Sequence, residues 1–124
     1  MEVRELRVGS LLLYGTKHIV VSSIEIDVNS FEYVVCCAND ECYNLYQLKP
    51  IPLTEEWLLN NGALRMSDNE YFFSRFLFIW KEEYKFWYVM NAEGNCYMTK
   101  IEFVHEWQNF MFVMNGQELE LKSN

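Results

Sequence analysis

The pattern of apolar and polar positions over residues 3–49 reads as a run of short strands. Leu6 and Val8 flank Arg7, Gly9-Ser10 interrupts, and Leu11–Tyr14 follows before a turn signal at Gly15-Thr16. His18–Val28 is rich in β-branched residues, and its apolar parity shifts between Val21 and Ile24, across Ser22-Ser23. A bulge or a strong bend there would restore the inward face. Asn29-Ser30 turns the chain into Phe31–Cys37, Asn39-Asp40 turns it again, and Cys42–Leu48 closes the set. Short strands with tight turns predict a small SH3-like β-barrel or curled sheet over residues 1–49.

Pro50 and Pro52 end that pattern, because proline cannot lie in a central strand. The rhythm then turns helical over about 54–61. Thr54 stands at the N-cap, Glu55 and Glu56 in the first turn, Leu53 and Leu58 at staple positions and Gly62 past the end. Tyr71–Lys81 and Lys85–Asn91 read as two long aromatic strands, and Cys96–Lys100 completes an antiparallel meander over about 71–100. A second helix over about 101–115 gathers Phe103, Val104, Trp107, Phe110, Met111 and Met114 on an apolar face of ~120° that packs on the meander. Asn115-Gly116 ends it, and a last strand is expected over about 118–121. The predicted fold class is α+β, with subdomains 1–49 and 50–124 joined in one compact unit. Read as one strand, Tyr71–Lys81 is apolar on both faces. Phe72, Phe76, Phe78 and Trp80 share one parity, and Tyr71, Phe73, Leu77 and Ile79 the other. A two-layer domain covers one face only, so a further layer or a second subunit is expected over the other.

Composition sharpens this picture. Hydrophobic residues make up 51% of the chain and aromatics 17%, which excludes disorder and leaves aromatic surface to spare for a partner. The net charge is −8, and both halves share it: residues 1–52 hold four Lys/Arg against seven Asp/Glu, residues 53–124 six against eleven. With no basic tail or stripe, nucleic acid is not an expected partner. A rarer meaning of such acidity is mimicry of DNA, carboxylates standing where phosphates would. The charged Met1-Glu-Val-Arg-Glu start is unlike a signal peptide, and no apolar run approaches a membrane span, so a cytoplasmic protein without membrane contact is expected. Cys36, Cys37, Cys42 and Cys96 form no CxxC pair, so no metal site or other cofactor is expected and the thiols are read as reduced.

Two segments carry a resemblance. Ile51-Pro-Leu-Thr-Glu-Glu-Trp-Leu-Leu59 followed by Gly62, and Val104-His-x-x-Gln-Asn109 followed by Asn115-Gly-Gln-Glu-Leu119, resemble a family of small uncharacterised proteins of gut-type Bacteroidetes and of their phages and integrated elements. Glu5-Leu-Arg-Val-Gly-Ser-Leu11 is similar to that family's start, while Trp107 and Phe112 stand where smaller aliphatic residues are expected. The resemblance implies a bacterial or phage-associated protein and attaches no activity to it.

Candidate chemistry is sparse. His105, Gln108 and Asn109 form the one convergent polar set, with Phe112 a turn further along the same side of the helix, and this face is the candidate binding surface. A Cys–His nucleophile would need His18 or His105 beside a thiol, and no local signature supports it. Glu55-Glu56 and Glu82-Glu83 are adjacent pairs that point apart, and no phosphate loop, dinucleotide fingerprint or nucleophile elbow is present. The expectation is a non-enzymatic protein-interaction or accessory module of a phage or mobile element, acting through a protein partner or as a homo-oligomer. The alternatives are a small-ligand or nucleic-acid-binding SH3-like module, with Tyr33, Tyr43 and Tyr46 as stacking surfaces, and an acidic DNA-mimic inhibitor.

Overall fold

The computed structural model describes residues 1–37 and 40–121, so Asn39 of the expected Asn39-Asp40 turn lies outside the described residues. In chain order the strands β1 (Leu11–Tyr14), β2 (Lys17–Ile26), β3 (Tyr33–Cys37) and β4 (Cys42–Asn44) come first. Helix α1 (Glu55–Asn60) follows, then β5 (Leu64–Ser67), β6 (Glu70–Phe73), β7 (Phe76–Lys81), β8 (Phe86–Asn91) and β9 (Tyr97–Ile101), and last α2 (Val104–Asn115). The fold is α+β with two antiparallel sheets, each running in chain order.

The chain divides into two compact units. The first holds Met1–Ile51 and Phe103–Glu118, and the second Pro52–Glu102, with residues 119–121 assigned to it. Helix α2 therefore groups with the first half of the chain, whereas its place after the meander had assigned it to the second.

In the first unit, β1–β4 make a curled sheet. Ile19 and Val21 point inward while their neighbours His18 and Val20 are exposed, as alternation requires. The predicted bulge is present: Val21 pairs with Cys37 and Ser23 with Cys36, so Ser22 is the extra residue and Ile24 returns to the core side. Beyond β4 one 3-10 turn, Leu45–Gln47, carries the chain back to β1. There Leu13 and Lys49 exchange both backbone hydrogen bonds at 2.9 Å and close the curl. Leu6, Leu12, Ile19, Val21, Val35, Cys37 and Leu48 fill the concave side. Leu6–Val8 forms no strand. A 3-10 turn at Val3–Glu5 precedes it, and the Gly9 amide donates to Val21 O at 2.7 Å. Cys36 and Cys42 are cross-strand partners of β3 and β4 with Cα atoms 4.1 Å apart, and their sulfurs are bonded. The expectation of four reduced thiols fails for this pair because the register sets the two side chains face to face.

The second unit is a five-stranded meander with α1. The meander has two strands more than expected: β5 precedes it, and Tyr71–Lys81 is a hairpin of two strands. Phe73 pairs with Phe76 across a two-residue turn, and Ser74 takes a left-handed φ of +60°. Helix α1 begins after Thr54 as predicted, although the Thr54 hydroxyl makes no capping bond. Helix α2 begins later than expected because Ile101 still belongs to β9, where it pairs with Trp87. The expected strand over 118–121 is absent: these residues carry no ladder bonds. Glu118 instead forms an ion pair with Arg7. Among the described residues no helix is long and apolar enough to cross a membrane.

Candidate functional site

Of the candidate face on α2, His105 and Gln108 are buried inside the first unit, Asn109 is half-buried and Phe112 is 43% exposed. The Gln108 side chain is wedged against the break at the head of β1: its Oε1 accepts from the Leu11 amide and its Nε2 donates to Gly9 O, both at 2.8 Å. It takes the place of a strand partner for two backbone groups that would otherwise be buried and unsatisfied. Asn109 Nδ2 donates to Glu5 O at 2.8 Å, and Asn109 Oδ1 accepts from Arg7 Nε at 2.7 Å. The Arg7 guanidinium also donates to Gln108 O at 3.0 Å, and lies 4.6 Å from the centre of the Phe112 ring. Arg7, Gln108, Asn109 and Phe112 thus form a clamp that fastens α2 to residues 5–11.

His105 is fully buried, with its ring parallel to Phe103 at 5.9 Å. Its Nε2 lies 3.4 Å from Glu5 Oε2 without the alignment of a hydrogen bond. Burial holds the imidazole below its ordinary pKa and outweighs the Glu106 and Glu5 carboxylates, which push it up. A neutral, enclosed imidazole of this kind is packing.

Thiol chemistry fares no better. Cys36 and Cys42 are bonded to each other, and burial pushes the Cys37 thiol up, away from the reactive thiolate. Among the described residues no group of His, Cys, Asp and Glu side chains is arranged to hold a metal ion.

Open surface lies elsewhere, and the Ser74-Arg75 hairpin decides where. A two-residue turn pairs Phe73 with Phe76, so the odd positions of β6 share a face with the even positions of β7. Tyr71, Phe73, Phe76 and Phe78 all fall on one side of the sheet with Trp87, Val89 and Ile101, and all are buried. The other side carries a row that crosses every strand: Leu64, Phe72, Leu77, Met90 and Tyr97 are successive register partners. Leu64 is 63% exposed and Tyr97 54%, while the three between them are half-buried. Ile79 and Tyr88 form a parallel row. Lys81 lies over the Tyr88 ring at 5.3 Å and Lys100 over Phe86 at 5.2 Å.

Each unit also has a cavity. In the first, Met1, Glu32, Tyr33, Asn44, Leu45, Tyr46, Leu48, Lys49 and Pro50 line an open groove of about 570 Å³. Tyr33 and Tyr46, two of the three tyrosines proposed from the sequence, face this groove. Tyr43 does not line it. Its ring lies tilted against Tyr14 with centres 4.2 Å apart, and its hydroxyl bonds to Glu41, which with burial pushes the phenol up to about 12. In the second unit, Leu53, Thr54, Glu55, Asp68, Tyr71, Trp80 and Trp87 line a half-open cavity of about 250 Å³. Nothing in the linear sequence marks this cavity, because only the unpredicted β6–β7 hairpin brings Tyr71 beside the Trp80–Trp87 pair. No protein-family model, no curated protein and no solved structure matches this chain.

Proposed function

We propose that the protein is a non-enzymatic interaction module that holds a protein partner on the outward face of its β5–β9 sheet, in the setting of a phage or mobile element that the family resemblance suggests. The observation that carries this reading is the row Leu64–Phe72–Leu77–Met90–Tyr97, an apolar strip across five strands with exposed ends. Contiguous apolar surface rimmed by charge marks contact sites, and aromatic residues and Met are enriched at interface centres. Lys81 and Lys100 supply such a rim, their charged ends near solvent and their stems on rings.

Leu64→Asp and Tyr97→Asp test it, since both side chains are more than half exposed and their loss spares the core. Light scattering at several concentrations comes first. A dimer that both substitutions dissociate assigns the strip to self-association. A monomer whose captured partner is lost with both substitutions assigns it to a different protein. Association that both substitutions leave intact overturns the reading.

The first unit's groove favours a second reading, a site for an extended peptide or a small ligand. Tyr46 is 75% exposed beside Pro50, with Lys49 and Glu32 supplying charge at the rim. Tyr46→Ala would then abolish ligand binding while leaving the sheet-face contact untouched.

A further inference from the structure

We propose that the cavity of the second unit is a binding site for a quaternary ammonium group. It lies on the side of the β5–β9 sheet opposite the contact strip and does not depend on that reading. Its walls are aromatic faces held at steep angles. Tyr71 meets Trp87 edge-on, with ring centres 5.6 Å apart and planes at 75°. Trp80 and Trp87 are direct cross-strand partners, with centres 5.1 Å apart and planes at 54°. Rings so inclined form the sides of a box, not a stack.

The box is fixed before any ligand arrives. Trp80 Nε1 donates to Glu82 Oε2 at 2.7 Å, and Trp87 Nε1 donates to Leu53 O at 2.8 Å. Both indoles have their polar handle occupied, so neither requires a hydrogen bond from a ligand. The Tyr71 hydroxyl is different. Its side chain is 1% exposed and its oxygen makes no formed hydrogen bond, with the Glu55 carboxylate beside it. A quaternary ammonium offers that oxygen no hydrogen bond, so its attraction here is that of a positive charge for the phenol's lone pairs and for the Glu55 carboxylate.

Charge sets the class of ligand. Among the described residues that line the cavity, the charged side chains are Glu55 and Asp68, both acidic. They repel an anion and attract a cation. A strongly hydrated ammonium such as lysine's would lose its water on entering an aromatic box, whereas a methylated nitrogen is weakly hydrated and makes dispersion contact with every wall. The size agrees: pockets for drug-sized ligands span about 300–1,000 Å³, and about 250 Å³ suits a head group alone. Two features oppose binding. Arg65 pairs with Asp68 at 3.5 Å and competes for its charge, and the six-residue helix α1 turns its N-terminus toward the cavity. The first is exposed and displaceable, and Glu55 offsets the second.

The test follows the Trp80 indole N–H signal by NMR while choline is added, then Nε-trimethyllysine, then 3,3-dimethylbutan-1-ol, the neutral carbon isostere of choline. Saturable shifts with an ammonium, and at least about tenfold weaker binding of the neutral alcohol, are expected. Trp80→Phe and Glu55→Gln should each weaken binding several-fold, followed on the Trp87 indole signal, and Arg65→Gln should strengthen it. Tighter binding of trimethyllysine than of choline points to a modified protein side chain as the natural source, and the reverse order to a small metabolite. Equal binding of the neutral isostere, affinity unchanged by both Trp80→Phe and Glu55→Gln, or no saturable shift with either ammonium overturns the proposal.

Discussion

At the scale of single residues, the polar set on α2 shows how a sequence can point to the right atoms and hide what they hold. His105, Gln108, Asn109 and Phe112 do converge, but on Glu5, Arg7, Gly9 and Leu11, about a hundred positions away. Periodicity places residues on a helix face. It cannot say which distant backbone that face will satisfy. Gln108→Met, close in shape but unable to bond, would strand the Leu11 N–H and the Gly9 carbonyl. The expected loss is about 1–3 kcal/mol, read as a lower urea midpoint at unchanged slope. His105 adds a pH dependence. Its folded pKa lies below the ordinary value of about 6.5 because burial dominates, so between the two values the unfolded chain binds more protons. The imidazole's contribution is therefore complete above about pH 6.5 and declines as the pH falls toward the folded value. Urea unfolding of the wild type should lose more stability than His105→Gln between about pH 7.5 and about pH 5.5. Equal losses in the two proteins would show that the carboxylates alone set the slope.

At the scale of elements, legibility depended on whether a break left a mark in the apolar pattern. The β2 bulge did, since the parity visibly slips between Val21 and Ile24. The β6–β7 hairpin did not. Its turn residues, Ser74 and Arg75, are not the Gly, Asn or Asp that tight hairpins favour, and aromatics run on both sides without a gap. That one missed turn changes the meaning of the aromatic load: what read as a strand apolar on both faces is a buried face backed by a half-exposed one. Ser74 sits in the left-handed region at φ +60°, where a Cβ is disfavoured. Ser74→Gly relieves this but gains chain entropy when unfolded, so a net stabilisation of only about 0.5 kcal/mol is expected. Ser74→Val should destabilise by more than about 1 kcal/mol, since a β-branched side chain tolerates that φ least. If the two variants melt together, the turn is not under this constraint. The β3–β4 hairpin gives a second check. Closing so short a loop contributes about 2 kcal/mol in the chain-entropy account. A reductant should therefore lower the melting temperature of the wild type by several degrees and leave Cys42→Ala unmoved.

For the whole molecule, the sequence supports a curled N-terminal sheet and a C-terminal meander, and both are present. What it conceals is that the first unit is discontinuous. Residues 1–51 make its sheet, yet the helix that fastens residues 5–11 arrives only after residues 52–102 have built the second unit. The apolar stripe of α2 reports that the helix packs, not which sheet it serves. The information lay in Arg7, Gln108 and Asn109, whose partners no local pattern reveals. The junction itself is tight: the Val104 amide donates to Ile51 O at 2.8 Å, so the first unit's two segments meet where the second unit departs. The second unit then behaves as an insertion, and the first should survive its removal. A chain joining Ile51 to Phe103 through a short glycine linker should fold, with the Leu11 amide protected from hydrogen exchange by Gln108. Residues 1–51 alone, lacking α2, should leave that amide exchanging freely. Equal protection in both chains would mean that the sheet needs no clamp. Free exchange in both would mean that the first unit is not a self-sufficient folding unit, and that the discontinuous chain folds only as a whole.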